Sequence, residues 1–301
     1  MKKEKHSKMH GNSAQSAMEY LMTYGWAILI ISVVLVVLFS MGVTNPLFFA
    51  PKAVAGGCRV VRPNGPGTTS FISLEGGGVC NELPRYVASF TNSGPIEIEN
   101  VAKQWSTYKE FTISFWVYVN HPSTYLYPKA VGIEGWGSMG GWIISLGGYD
   151  SAFVNMCFSS VSGWSGCFLG TDFQNNTWTN IAYTININKD QAILYINGKE
   201  VASDINLPTY NYAASNQNFF IGPEFPYASF ANVQFYNAIL SQTEIQGMYV
   251  LGIGGAPIDL QNLVGWWPLN GNANDYSGNN NDGIATNVIW SGTWWQDYSA
   301  P

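Results

Sequence analysis

The chain has 301 residues, of which 11% are charged and 15% aromatic, with 32 glycines. That balance excludes an architecture of long solvent-exposed helices and favours many short strands joined by Gly and Asn turns, in one large β domain or two small ones. The net charge of −6 disfavours a nucleic-acid partner, whose phosphates call for the opposite sign.

Residues 1–14, MKKEKHSKMHGNSA, form a basic leader with Lys2, Lys3, Lys5 and Lys8. An apolar stretch from Gln15 to Val43 follows, and it holds one carboxylate, Glu19, near its start. From Trp26 to Val43 there is no charge, which meets the length criterion for a membrane-spanning helix. An ordinary secretory signal would be cut at a small-x-small site, and Ala53-Val54-Ala55 offers one. The length of the apolar run and the acid at its mouth oppose that reading. A plain membrane anchor is the second reading.

The third reading rests on Ala14-Gln15-Ser16-Ala17-Met18-Glu19-Tyr20 leading into an apolar helix. This segment resembles the class III signal peptide of archaeal type IV pilin-like proteins. The resemblance implies that a prepilin peptidase cuts between Ala14 and Gln15 and leaves the helix, 15–44, on the mature chain. It also implies a filament made with copies of the chain or other pilins. A lone carboxylate in apolar surroundings must be neutral or paired. Cleavage would create an α-amino group on Gln15, and the Glu19 of a neighbouring subunit could pair with it to set filament register. The plainer alternative is that Glu19 snorkels to lipid headgroups. Without the leader, nine Lys and Arg remain against eighteen Asp and Glu, a net of −9. A basic leader held inside predicts a single-pass membrane precursor with its C-terminus outside.

Asn45-Pro46 should end the helix, because a residue before proline leaves the α region. Residues 45–84 read as a connector holding a hairpin, with Cys58 and Cys80 bracketing two strands around Pro63-Asn64-Gly65-Pro66-Gly67. Cys157 and Cys167 bracket a second loop. Pairing 58–80 and 157–167 is the most local of three possible connectivities, and it fits a location outside the cytoplasm. A metal site is the alternative, but CxxC spacing is missing and the only histidines are His6, His10 and His121.

From Arg85 the strand pattern becomes dense. Residues 86–100 give two short strands around Asn92-Ser93-Gly94-Pro95, and Phe111–Val119 is apolar on both faces, as in a central sandwich strand. From Trp178 to Asn188 the chain alternates, with Ile181, Tyr183, Ile185 and Ile187 on one face and Asn180, Thr184, Asn186 and Asn188 on the other. Asn197-Gly198 is a strong hairpin signal. Asn232–Tyr236 reads as a further strand, and Ser241-Gln242-Thr243-Glu244 as a capping box that opens a short helix.

The residues Trp178, Leu194-Tyr195-Ile196-Asn197-Gly198-Lys199, Tyr236-Asn237, Leu240-Ser241 and Glu244-Ile245 together resemble the laminin G-like, concanavalin A-like jelly-roll domain. The resemblance covers roughly 85–251 and implies a mostly β, two-sheet antiparallel sandwich. Leu263–Gly283 resembles the segment that normally begins such domains, yet here it lies at the C-terminal end. Either 263–301 supply strands that complete a jelly roll over 85–301, or they begin a truncated second domain. The first is favoured, because so short a remainder cannot bury a core alone.

Trp136, Trp142 and Trp164 lie in Gly-rich stretches, where rings can stack on sugars; filling loop cores or subunit contacts is the alternative. Asn274, Asp275, Asn279 and Asp282 offer hard oxygens for calcium, though turn-forming Asn and Asp explain the same residues without a metal, and that plainer reading is favoured. Apart from calcium no cofactor is expected. Retaining hydrolases of this class carry two carboxylates about 5.5 Å apart, and Glu97-Ile98-Glu99 only approaches their Glu-x-Asp-x-x-Glu strand. Catalysis is therefore not expected. Asn175-Asn176-Thr177 would permit glycosylation at Asn175. The expected protein is a structural, adhesive filament subunit whose head contacts glycans or cell surfaces; the alternative is a monomeric, membrane-anchored lectin.

Overall fold

The computed structural model describes residues 12–40, 58–76, 80, 82–90, 94–105, 107–120, 129–133, 141–147, 152–160, 163–205, 207, 217–222 and 228–301. Two compact units are present, 1–51 and 52–301.

The first unit contains helix α1 (Asn12–Ser40). Its described side chains, 22–36, are all exposed, including Met22, Trp26 and Val36 at 66–68%. Among the described residues no helix is long and apolar enough to cross a membrane. The expected single-pass membrane precursor is therefore corrected. The leader junction Ala14-Gln15 and Glu19 fall within α1, where their side chains lie outside the described residues.

In the second unit β1 (Cys58–Val61) and β2 (Ser73–Gly76) form a hairpin, and the Cys58–Cys80 disulfide staples its base. Next come β3 (Val87–Phe90), β4 (Ile96–Ile98), the single turn α2 (Ala102–Trp105) and β5 (Glu110–Val119). β6 (Lys129–Ile133), β7 (Trp142–Leu146), β8 (Ala152–Ser160) and β9 (Gly163–Phe173) form a meander, with Cys157 bonded to Cys167 across β8 and β9. Then follow β10 (Thr179–Asn186), β11 (Gln191–Ile196), β12 (Lys199–Asp204), β13 (Phe219–Ile221) and β14 (Ala228–Tyr236). Helix α3 (Gln242–Val250) precedes β15 (Leu263–Trp267), β16 (Ile284–Ala285) and β17 (Val288–Ser291).

These strands make a two-sheet antiparallel sandwich of jelly-roll type. One sheet runs β12-β11-β10-β5-β14-β3-β17 with β15 also on β14, and the other runs β16-β4-β13-β6-β7-β8-β9. β5 lies between β10 and β14, and both of its faces are buried, Ile113, Phe115 and Val117 in the main core and Trp116 in a second cluster on the other side. β3 and β4 belong to different sheets. Asn197 and Gly198 both take positive φ in the β11–β12 turn, the twist that a two-residue hairpin requires. The Ser241–Glu244 capping box is present, and Ile245 and Met248 are buried beneath α3.

Two C-terminal features decide the packing. β3 covers Ala228–Phe230 of β14, and β15 takes Val233–Tyr236 beyond a bulge at Ala231–Gln234. There Asn232 Oδ1 accepts from Trp266 Nε1 at 2.8 Å and from Gln234 Nε2 at 2.9 Å, while Asn232 Nδ2 donates to the Gly255 carbonyl. These satisfied buried amides set the register of β15. Trp267 turns into the core beside Trp105 and Phe219, its ring lying over Gly265 so closely that a Cβ there would collide with it.

The predicted polar face of β10 is buried: Asn180 and Thr184 are each 2% exposed. An aromatic layer including Trp116, Trp178, Tyr249 and Trp294 forms on this side of the sheet, outside the main core. Two buried phenols, Tyr183 and Tyr236, have their pKa pushed well above the ordinary phenol value by burial. A raised value means that their stabilising contribution is present below the ordinary phenol pKa of ~10 and is lost as pH rises past it. Urea midpoints should fall above about pH 10, and Tyr236→Phe should flatten that fall; an unchanged slope would contradict it.

Candidate functional site

A cleft of about 350 Å³ opens where the β1–β2 hairpin meets the C-terminal segment. That lies within the usual range for ligand sites, roughly 300–1,000 Å³. Its walls come from four separate places: the hairpin tip, the turn after α2, Asn237 beyond β14, and 261–281.

Arg62 fixes the hairpin to the rest. Its side chain is buried, and Nε donates to the Ser277 carbonyl, Nη1 to that of Thr68, and Nη2 to those of Leu260 and Leu263. Burial lowers its pKa, and the nearby Asp275 opposes the shift. Backbone bonds add to this clasp, from Val60 N to Tyr276 O at 2.8 Å and from Tyr276 N to Trp266 O at 2.7 Å. The Gly67 N–H donates to Asn279 Oδ1 at 2.7 Å.

The floor is apolar, formed by Trp105, Leu263 and Val264. One side is Tyr108, half-buried, whose pKa is pushed up by burial while a hydrogen bond with the Gln104 side chain draws it down. It stays protonated at neutral pH and presents both a ring face and a hydroxyl. Asn237 and Gln261 are exposed at the opening, and no hydrogen bond among the described residues uses their side-chain amides. An aromatic beside unspent amides can hold a polyhydroxylated ligand by stacking and paired hydrogen bonds.

The residues singled out from sequence are placed differently. Trp142 is not in an exposed loop; it sits in β7 between β6 and β8, 6% exposed, with its ring stacked on Phe111 at 5.1 Å. Trp136 and the side chain of Trp164 lie outside the described residues, as does His121.

Asp275 uses its carboxylate on its own loop, accepting from the backbone N–H groups of Trp266, Ser277 and Asn281 and from the Ser277 hydroxyl. Burial raises its pKa against the pull of those donors. Asp282 Oδ1 accepts from Asp275 N, and Asn279 Nδ2 donates to the carbonyls of Leu263 and Val264. Asn274 is exposed, and its N–H is taken by Asn272 Oδ1. These four residues stabilise a turn, and Asn279 also lines the cleft. Among the described residues no group of three or more His, Cys, Asp or Glu gathers in a form suited to a metal ion.

Glu97 is held by Asn218 at 3.1 Å, and Glu99 lies in the turn beyond β4. Asn175 Oδ1 accepts from Ala152 N at 2.7 Å. Gln261 carries no motif, and Asn237 stands out in the sequence only as part of the Tyr236-Asn237 match to the jelly-roll domain; neither signals a place in a cleft beyond its position next to β14 or β15.

A two-sheet sandwich with a polar cleft at one end defines a lectin-type β domain. The chain belongs to the concanavalin A-like lectin/glucanases superfamily, matched over residues 90–246 by its laminin G-type family. No curated protein matches the chain. Among solved structures it is similar to a candidate carbohydrate binding protein from Bacteroides ovatus, at 14% identity and a TM-score of 0.49, covering 73% of this chain and 63% of that one. The binding domain of botulinum neurotoxin serotype D is similar at 19% identity and a TM-score of 0.39, over 47% and 36%. The binding domain of botulinum neurotoxin DC in complex with SialylT is similar at 17% identity and a TM-score of 0.37, over 48% and 36%. The chain spans less than two thirds of the length of each.

Proposed function

We propose that the β unit is a non-catalytic glycan-binding module, displayed outside the cytoplasm. The carrying observation is the cleft, in which Tyr108 and the unspent amides of Asn237 and Gln261 face an apolar floor inside a lectin-type sandwich. Two disulfides support display in an oxidising compartment. Tyr108→Ala should weaken saccharide binding by about tenfold, the loss of one ring contact and one hydrogen bond. Titration of the full chain with the tightest saccharide on a glycan array checks this. Equal affinity in the variant would remove the cleft from the account.

The finer reading is a pilin-like filament subunit. A boundary at Ala14-Gln15 of the kind a prepilin peptidase cuts supports it, as does the uncharged run from Tyr20 to Ser40 within α1. Here α1 serves as a packing rod between copies of the chain, with Glu19 meeting the Gln15 amine of a neighbour. Glu19→Ala should abolish or misregister filaments in electron micrographs; filaments as abundant and regular as wild type would reject the pairing.

A further inference from the structure

We propose that the cleft selects a neutral saccharide end, without carboxylate or sulfate; the inference rests on the glycan-binding reading. Among the lining residues the only formal charge is Arg62. Its guanidinium has five N–H donors, and four are committed to the carbonyls of Ser277, Thr68, Leu260 and Leu263. An incoming anion meets no free pair of donors of the kind that makes arginine a carboxylate or sulfate reader. Asp275 beside Arg62 offsets its charge further.

The readers that remain are neutral. Asn237 and Gln261 each present two donors and a carbonyl acceptor, a match for neighbouring sugar hydroxyls, which also donate and accept. Asn279 is a wall and not a reader, because Gly67, Leu263 and Val264 already occupy its amide. The chain's net charge of −6 adds long-range repulsion of anionic glycans.

The test uses the full chain on an immobilised panel of neutral gluco-, galacto- and manno-oligosaccharides beside sialylated, uronic and sulfated ones. Wild type, Asn237→Ala and Gln261→Ala are compared, both changes lying at exposed positions that leave the fold intact. Neutral members should bind at least tenfold more tightly than acidic ones, and each variant should weaken that binding by about tenfold, one hydrogen bond's worth, with unchanged melting. Acidic glycans bound as tightly or more tightly would overturn the selectivity while leaving the lectin reading intact. Neutral binding untouched by both variants would move the site away from the cleft. No binding anywhere on the panel would remove the lectin reading and this inference with it.

Discussion

Deleting residues 263–301 should leave a head without cooperative unfolding. The deletion removes β15 from the outer half of β14, β16 from β4 and β17 from β3. It also removes Trp266, Trp267 and Leu269, all nearly inaccessible, along with the ring of Trp294 packed on Trp178. A domain holds only about 5–15 kcal/mol of net stability, and opening one sheet and a tryptophan-rich core exceeds that. A loss of near-UV dichroism with dye binding to exposed apolar surface would record the outcome. Trp267→Ala alone should cost about 3–5 kcal/mol, the usual range for a large buried aromatic. A truncated head that melts as sharply as the intact one would mean that these strands are an appendage.

Arg62→Ala is the second large effect. The side chain joins the β1–β2 hairpin to the C-terminal segment through three backbone carbonyls, those of Ser277, Leu260 and Leu263 at 2.9–3.0 Å, and holds the hairpin's own Thr68 carbonyl as well. Charge-assisted bonds are the strong class, and their removal leaves buried acceptors without donors. The expected loss is about 3–5 kcal/mol, comparable to breaking a buried pair. Arg62→Lys should recover only part of it, since one ammonium cannot reach carbonyls on both sides of a planar fork. Denaturant midpoints measure the change, and a shift under ~1 kcal/mol would show that the backbone bonds and the Cys58–Cys80 disulfide suffice to hold the hairpin.

Much of the sandwich is legible in the chain because its signals are local. The apolar run at 111–119, the Asn197-Gly198 turn and the Ser241–Glu244 box each act within a few residues, and each forms as expected. Alternation over 178–188 gives the inward face of β10 but not the fate of the other, because Asn180 and Thr184 are buried on that side too. No pattern local to β10 reveals what covers it. Trp142 misleads for a related reason: the glycines beside it suggest a loop, while the β6 and β8 pairings make it a core strand residue. The cleft is the least legible feature. Its lining is drawn from the hairpin tip, 104–108, 237 and 261–281, segments that only the fold brings together. Asp275 and Asp282 look like oxygen ligands in sequence, and the structure spends their carboxylates on N–H groups of the 266–282 segment.

The account's central claim is tested most directly by a structure of the full chain with the tightest neutral oligosaccharide bound. The predicted result is a sugar ring against Tyr108 with its hydroxyls within hydrogen-bond distance of Asn237 and Gln261. A ring seated instead against Trp136 or Trp164, with the cleft empty, would contradict it.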